Sequence, residues 1–187
     1  MKIAFIRHGY TPGNLERRYI GRTDEPLSAY GIEDIRKHIY PDADYIISSP
    51  MKRCIETSKI IYPDIVPIIA DNLRECDFGD FEGKNYSELN GDTDYQRWID
   101  SGGEIPFPNG ESMLDFRKRC CDSFMDEICR IPEKSAVSMI VHGGTVMSVL
   151  SRFCIPERSY FDYQVKNGCG FLTEWNGKKI KILSEII

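Results

Sequence analysis

Ile3-Ala4-Phe5-Ile6-Arg7-His8-Gly9-Tyr10-Thr11-Pro12-Gly13-Asn14 is a short apolar run that stops at an Arg-His-Gly triplet and passes at once into turn residues. The run reads as a strand from Lys2 to Ile6, closed by Thr11, Pro12, Gly13 and Asn14. In open α/β folds ligands bind at the carboxyl ends of parallel strands, so Arg7 and His8 stand where chemistry is expected. Gly9 removes a side chain beside His8 and opens the backbone to an anion. Alone, such a triplet equally describes an ordinary strand end with a solvated Arg and His. A second stretch changes that reading. Ala136-Val137-Ser138-Met139-Ile140-Val141-His142-Gly143-Gly144 is again a hydrophobic strand ending in His-Gly, followed by a helical run from Thr145 to Phe153. Two strands each deliver one histidine, and the simplest arrangement puts them at one sheet edge.

The remaining chain alternates strands with helices. Ser28 is read as the N-cap of a helix from about Ala29 to Ile39, and Tyr45–Ile47 as a second strand. Ser49 and Pro50 are read as the N-cap and first residue of a helix running to Tyr62. That helix carries Arg53 in its first turn, against the preference of the helix dipole for anions there, which a bound anion would resolve and solvent exposure would also tolerate. Ile65–Ala70 reads as a strand, made an edge by Pro67. Leu73 to Gly83 is an acidic, aromatic loop with no period. One or two short helices over 86–99 and a Gly/Pro-rich link lead to a long amphipathic helix from Glu111 to about Arg130, with Met113, Phe116, Cys120, Phe124 and Ile128 as its buried stripe. Asn176-Gly177 marks a terminal hairpin between strands 171–175 and 180–183. The alternation predicts a three-layer α/β/α domain with a mainly parallel sheet and a C-terminal antiparallel hairpin.

Composition narrows the class. The chain of 187 residues suits one domain. A net charge of −5 with scattered basic residues argues against nucleic acid as partner, and no apolar run approaches membrane-spanning length. With no signal-peptide pattern, a soluble cytoplasmic protein is expected, monomer or homodimer. Seven cysteines without a Cys-x-x-Cys pair give neither a zinc site nor a disulfide framework, and read as reduced thiols.

Taken together, the ordered motifs resemble the histidine phosphatase (phosphoglycerate mutase-like) superfamily. They are Arg7-His8-Gly9 with Thr11 and Asn14; Gly21 to Gly31 with Asp24, Pro26 and Leu27; Ser48-Ser49-Pro50 with Arg53 and Thr57; Leu73-Arg74-Glu75 with Phe78-Gly79 and Glu82-Gly83; Gly110-Glu111-Ser112; and His142-Gly143. Tyr10, where many members carry an acidic residue, and Ser58, where alanine is usual, depart from the pattern. The resemblance implies a single domain over 1–187 with a helical lid at about 84–108. It implies His8 as the nucleophile, passing through a phosphohistidine, with Arg7, Arg53 and His142 clamping the phosphoryl group and Asn14 and Gly143 adding contacts. Glu75 would be the acid and base, with Asp77 as fallback, and turnover would be faster below neutral pH. No metal or cofactor is implied, since guanidinium groups replace the metal.

The run from Phe78 through Trp98 to Glu111, with Val165 to Cys169, looks most similar to α-ribazole phosphatases. The expected partner is therefore a small phosphomonoester. A broad-specificity sugar-phosphate or phosphoglycerate phosphatase, a cofactor-dependent phosphoglycerate mutase and a noncatalytic phospho-ligand binder remain as alternatives.

Overall fold

A computed structural model describes all residues 1–187. β1 (Lys2–Arg7) lies at the centre of a six-stranded sheet. It pairs parallel with β4 (Ala136–Val141) on one side and antiparallel with β5 (Gly170–Trp175) on the other. Beyond β4 come β2 (Tyr45–Ser48) and β3 (Ile68–Ile69), both parallel, and beyond β5 comes β6 (Ile180–Ile186), antiparallel. The spatial order is β3-β2-β4-β1-β5-β6. Register then does the work of assembly. Arg7 pairs with Val141 and Ser48 with Ile140, so β1, β4 and β2 end level and release His8, His142 and Ser49 side by side.

β1 is buried on both faces, from Ile3 through Ile6, because alternate residues feed different layers. Ile3 and Phe5, with Val137, Met139 and Val141, pack against α5 (Met113–Ile128) and α6 (Gly143–Phe153). Ala4, Ile6, Ile46 and Ile140 face α3 (Lys52–Ile61), numbered after the short helices α1 (Pro12–Leu15) and α2 (Ala29–Ile35). Fully burying a Phe or Ile side chain is worth roughly 1.5–3 kcal/mol, so this double burial is what makes β1 the structural axis. The three layers and the terminal hairpin agree with the sequence reading. No helix is long and apolar enough to cross a membrane.

Several boundaries differ from expectation for local reasons. The expected helix from Pro50 starts at Lys52 and has Met51 at its N-cap without a side-chain capping bond, while Ser49 Oγ accepts from the Met51 N–H at 3.4 Å and from His142 at 2.8 Å. The third strand contracts to Ile68–Ile69, an exposed edge pair just after Pro67. The helix after Ser28 ends at Ile35, four residues early, though Ser28 does cap it by accepting from the Gly31 N–H at 3.0 Å. Between 86 and 99 the structure has one helix, α4 (Thr93–Asp100), capped by Asp92. Ser112 shortens the long helix at its start. A third apolar cluster lies away from the sheet, where Phe81, Leu89 and Phe107 meet Phe116 and Cys120 of α5.

Candidate active site

The nucleophile candidate is set by backbone geometry. The His8 N–H donates to the Val141 carbonyl at 2.9 Å, which continues the β1–β4 ladder one residue past the strand. The Gly9 N–H donates to Thr57 Oγ1 at 3.0 Å, and Asn167 Nδ2 donates to the His8 carbonyl at 3.1 Å. His8 Nδ1 lies 2.8 Å from the Gly9 carbonyl oxygen. A carbonyl only accepts, so Nδ1 carries the proton and Nε2 keeps its lone pair. Burial, then the charges of Arg53 and Arg7, hold the His8 pKa well below the usual imidazole value. The ring is therefore neutral at ordinary pH, as a nucleophile requires.

His142 stands opposite, its ring centroid 5.1 Å from that of His8. Arg53 Nε donates to His142 Nδ1 at 3.4 Å, which leaves Nε2–H to donate to Ser49 Oγ at 2.8 Å. Both ring nitrogens are thus engaged inside the protein, and burial and Arg53 keep this imidazole neutral too. Arg53 is fully buried rather than solvent-facing. Besides His142 it bonds the carbonyls of Thr23 at 2.7 Å and of Gly21 and Ile20 at 2.8 and 3.4 Å. Four of its five N–H groups are spent in this way, which ties the loop after β1 to α3. Its charge still reaches both histidines.

Arg7 is less committed. One terminal nitrogen donates to the Val165 carbonyl at 2.9 Å, whereas Nε is buried without a partner. Its guanidinium lies over Gly143, where a β-carbon would sit only 3.4 Å from Cζ and Nε. Gly143 is the first residue of α6, whose opening N–H groups lack intrahelical acceptors and favour an anion. One of them is taken by the acid candidate. The Gly144 N–H donates to Glu75 Oε2 at 3.3 Å, and the Cys76 N–H to Oε1 at 3.0 Å. A β-carbon on Gly144 would collide with Oε1, so this glycine makes room for the carboxylate. Burial pushes the Glu75 carboxyl up from its ordinary value, more than the two amide bonds, Arg7 and Arg53 pull it down. Asn14 sits at the margin, its Oδ1 accepting from Asn167 Nδ2 at 2.9 Å and from the Thr11 N–H at 3.3 Å.

The other loop carboxylates are occupied. Glu82 Oε1 accepts from the Gly21 and Thr23 N–H groups at 2.8 and 2.9 Å, and Asp77 accepts from the Gly79 N–H at 2.9 Å while pairing with Arg22 at 3.1 Å. Both carboxylates hold loop backbone in place. Burial also pushes the neighbouring Cys76 thiol up, away from a reactive thiolate. No group of three His, Cys, Asp or Glu side chains converges in metal-binding geometry.

A cavity of about 320 Å³ opens beside this cluster, reached by Arg7, Glu75, Gly143 and Gly144. Its other walls are mainly aromatic: Tyr19, Phe78, Trp98, Phe107, Tyr160 and Phe161. Trp98 stacks on Phe107 with centroids 5.0 Å apart, and Tyr19 meets both Phe78 and Trp98 edge-on. Of the aromatics in 84–108, Trp98 and Phe107 line the cavity, Tyr95 packs behind with its hydroxyl 3.2 Å from that of Tyr19, and Tyr86 is exposed.

A model of the histidine phosphatase superfamily (branch 1) matches residues 3–185. The chain belongs to that superfamily. Among its relatives is the adenosylcobalamin/alpha-ribazole phosphatase of Escherichia coli K12, 25% identical over 187 residues, spanning 95% of this chain and 92% of that protein. A probable phosphoglycerate mutase of Proteus mirabilis is 30% identical over 81% of this chain and 74% of its own length. A putative alpha-ribazole-5'-P phosphatase from Escherichia coli shares the fold with a TM-score of 0.88 at 23% identity, covering 100% of this chain and 96% of that one. Members named phosphatase and members named mutase thus share this architecture.

The superfamily motifs coincide with the His8, His142, Arg53 and Glu75 cluster and leave much of the cavity wall unmarked. Tyr19, Tyr160, Phe161 and Arg117 line the cavity without having been singled out, because they come from a loop, a 3-10 turn and the flank of α5. Only the Gly-Gly pair after His142 hinted at the room that Glu75 needs.

Proposed function

We propose that this histidine phosphatase is a metal-independent phosphomonoesterase whose best substrate is α-ribazole 5′-phosphate, with residues 84–108 serving as a lid over the leaving group. The observation that carries this reading is the aromatic cavity opening directly onto Arg7 and Glu75. A planar heteroaromatic ring gains more from such walls than a sugar or glycerate does. The likeness to the Escherichia coli adenosylcobalamin/alpha-ribazole phosphatase, which spans nearly all of both chains, points the same way.

In the proposed reaction His8 Nε2 attacks phosphorus in line with the ester oxygen. The P–O bond to the alcohol breaks as the P–N bond forms, and the Glu75 carboxyl gives its proton to the departing oxygen. Arg7, the remaining Arg53 N–H and the Gly143 N–H at the head of α6 meet the charge on the phosphoryl oxygens, with Asn14 at the margin. His142 contributes by holding Arg53 and Ser49 in place. Glu75, now ionised, takes a proton from water, which attacks phosphorus, breaks the P–N bond and releases inorganic phosphate.

This scheme needs a neutral imidazole and a protonated carboxyl together. With ordinary pKa values, at most about one molecule in two hundred would have that pairing, even at the most favourable pH. Here His8 is shifted down and Glu75 up, and both shifts enlarge the competent fraction.

The test is steady-state hydrolysis of α-ribazole 5′-phosphate, 3-phosphoglycerate, a hexose phosphate and an aryl phosphate with a strong chelator present. The expected result is full activity under chelation and the highest kcat/KM for α-ribazole 5′-phosphate. Equal rates on all four would remove the substrate assignment, and loss on chelation with rescue by Mg²⁺ would remove the metal-free mechanism.

A further inference from the structure

One charged group on the cavity wall has no part in the scheme above. Arg117 leaves α5 beside Phe116, whose ring underlies Gly144. Its guanidinium lies over the Tyr160 ring, 4.0 Å from the centroid, and has neither a hydrogen bond nor an ion pair within the protein. Its Nε is shut away from solvent without a partner. By contrast Arg119, one turn face away, is saturated by Glu111 at 2.8 Å and by the carbonyls of Asn72 and Arg74 at 2.7 and 3.0 Å. Buried donors are almost always paired, so an arginine left open beside an apolar cavity marks a place for an acceptor from outside.

The position of that donor is fixed relative to the chemistry. The Tyr160 hydroxyl donates to the Gly144 carbonyl at 3.3 Å, and the Gly144 N–H donates to Glu75. The Arg117–Tyr160 stack and the carboxyl that would protonate the leaving oxygen therefore hang on the same residue. A ring held by Arg117 would be held in register with Glu75. Apart from Arg7 and Arg117 the cavity has no cation, and apart from the Glu75 carboxyl its other walls are apolar or uncharged, which suits a flat heteroaromatic ring better than a second anion.

We propose that Arg117, presented on Tyr160, is a specificity-determining residue that donates to a ring acceptor of the leaving group, namely the unsubstituted imine nitrogen of a benzimidazole-type nucleoside. The inference rests on the phosphomonoesterase reading and adds the atom by which that substrate would be chosen. An acceptor satisfied by a charged donor favours the correct ring, and its absence leaves the donor unpaired, which is how polar sites reject close analogues.

The experiment compares benzimidazole riboside 5′-phosphate with indole riboside 5′-phosphate, which replaces the imine nitrogen by C–H at the same shape. Both are assayed on wild type, Arg117→Met and Arg117→Lys, with thermal unfolding checked for each. Wild type is expected to prefer the benzimidazole by roughly ten- to a hundredfold in kcat/KM, the worth of a hydrogen bond from a charged donor. The preference is expected to collapse in Arg117→Met, chiefly through KM, and to be recovered in part by Arg117→Lys. Equal use of the two esters by wild type overturns the proposal, as does a preference that survives in Arg117→Met. In both cases the phosphatase reading stands, because hydrolysis itself is seen. No turnover of either ester by wild type overturns both.

Discussion

The catalytic floor and the aromatic cavity above it are built on opposite plans. In the floor, Arg7 Nε apart, donors and acceptors are matched: His8 is held by Val141, Gly9 and Asn167, and His142 by Ser49 and Arg53. In the cavity, rings meet rings at 5.0–6.3 Å with few polar anchors, and donors such as Trp98 Nε1 and Arg117 Nε have no partner. Hydrogen bonds fix direction, while apolar contacts fix only proximity. The floor therefore suits a reaction shared by many relatives, and the cavity suits a choice among substrates.

That contrast predicts how variants should divide. The largest effect belongs to His8→Ala, which removes the proposed nucleophile and should lower kcat by about 10⁴-fold or more on every phosphomonoester. Single-turnover trapping with ³²P-substrate, quenched in alkaline detergent because a P–N bond is acid-labile, would read it directly; a variant that stayed within tenfold of wild type would show that the nucleophile lies elsewhere. Glu75→Gln comes next. It should cost about 10²–10⁴-fold with an alcohol leaving group, and markedly less with p-nitrophenolate, which departs without a proton.

The same variant sharpens the comparison through pH. Wild-type kcat/KM should fall on the acid side as His8 protonates, below the usual imidazole value, and on the alkaline side as Glu75 ionises, above the usual carboxylate value. Turnover should be faster below neutral pH than above it, with the alkaline limb flattened in Glu75→Gln for the alcohol ester. A rate that climbs steadily into alkali would remove Glu75 as acid.

The smallest effect should come from the cavity. Trp98→Ala is expected to raise KM for a ring-bearing ester by about tenfold, with a smaller change in kcat, since it takes away stacking area rather than transition-state contacts. If kcat instead collapsed while KM held, cavity and floor would not be separable units.

What could be read in the sequence follows the same divide. β1 and β4 were legible because each is an apolar run cut off by His-Gly, and two such strands in one sheet end together when paired in parallel. Ser28 and the Asn176-Gly177 turn were legible because capping and tight turns are decided within a few residues. Ser49 is legible only in part: its hydroxyl does accept from the Met51 N–H at 3.4 Å, as a cap would, but its shorter bond, at 2.8 Å, is to His142, 93 residues away in the chain. Arg53 is placed at the site only by the resemblance, because nothing local separates a buried arginine from an exposed one or announces the three carbonyls of residues 20–23 that bury it. Arg117 gave no signal at all, sitting beside the apolar stripe of an amphipathic helix as a surface residue would.

The placement of β1 has one further consequence, for biosynthesis. The strand that carries His8 is made long before its partners Ala136–Val141 and Gly170–Trp175, and the Met1 nitrogen also bonds the Trp175 carbonyl at 3.0 Å. Non-local pairings of this kind must await chain closure. A nascent chain lacking β4 and β5 would expose both edges of its most apolar strand and would have no floor for phosphate. Catalytic competence would thus arrive all at once, when β4 and β5 have left the ribosome and paired with β1.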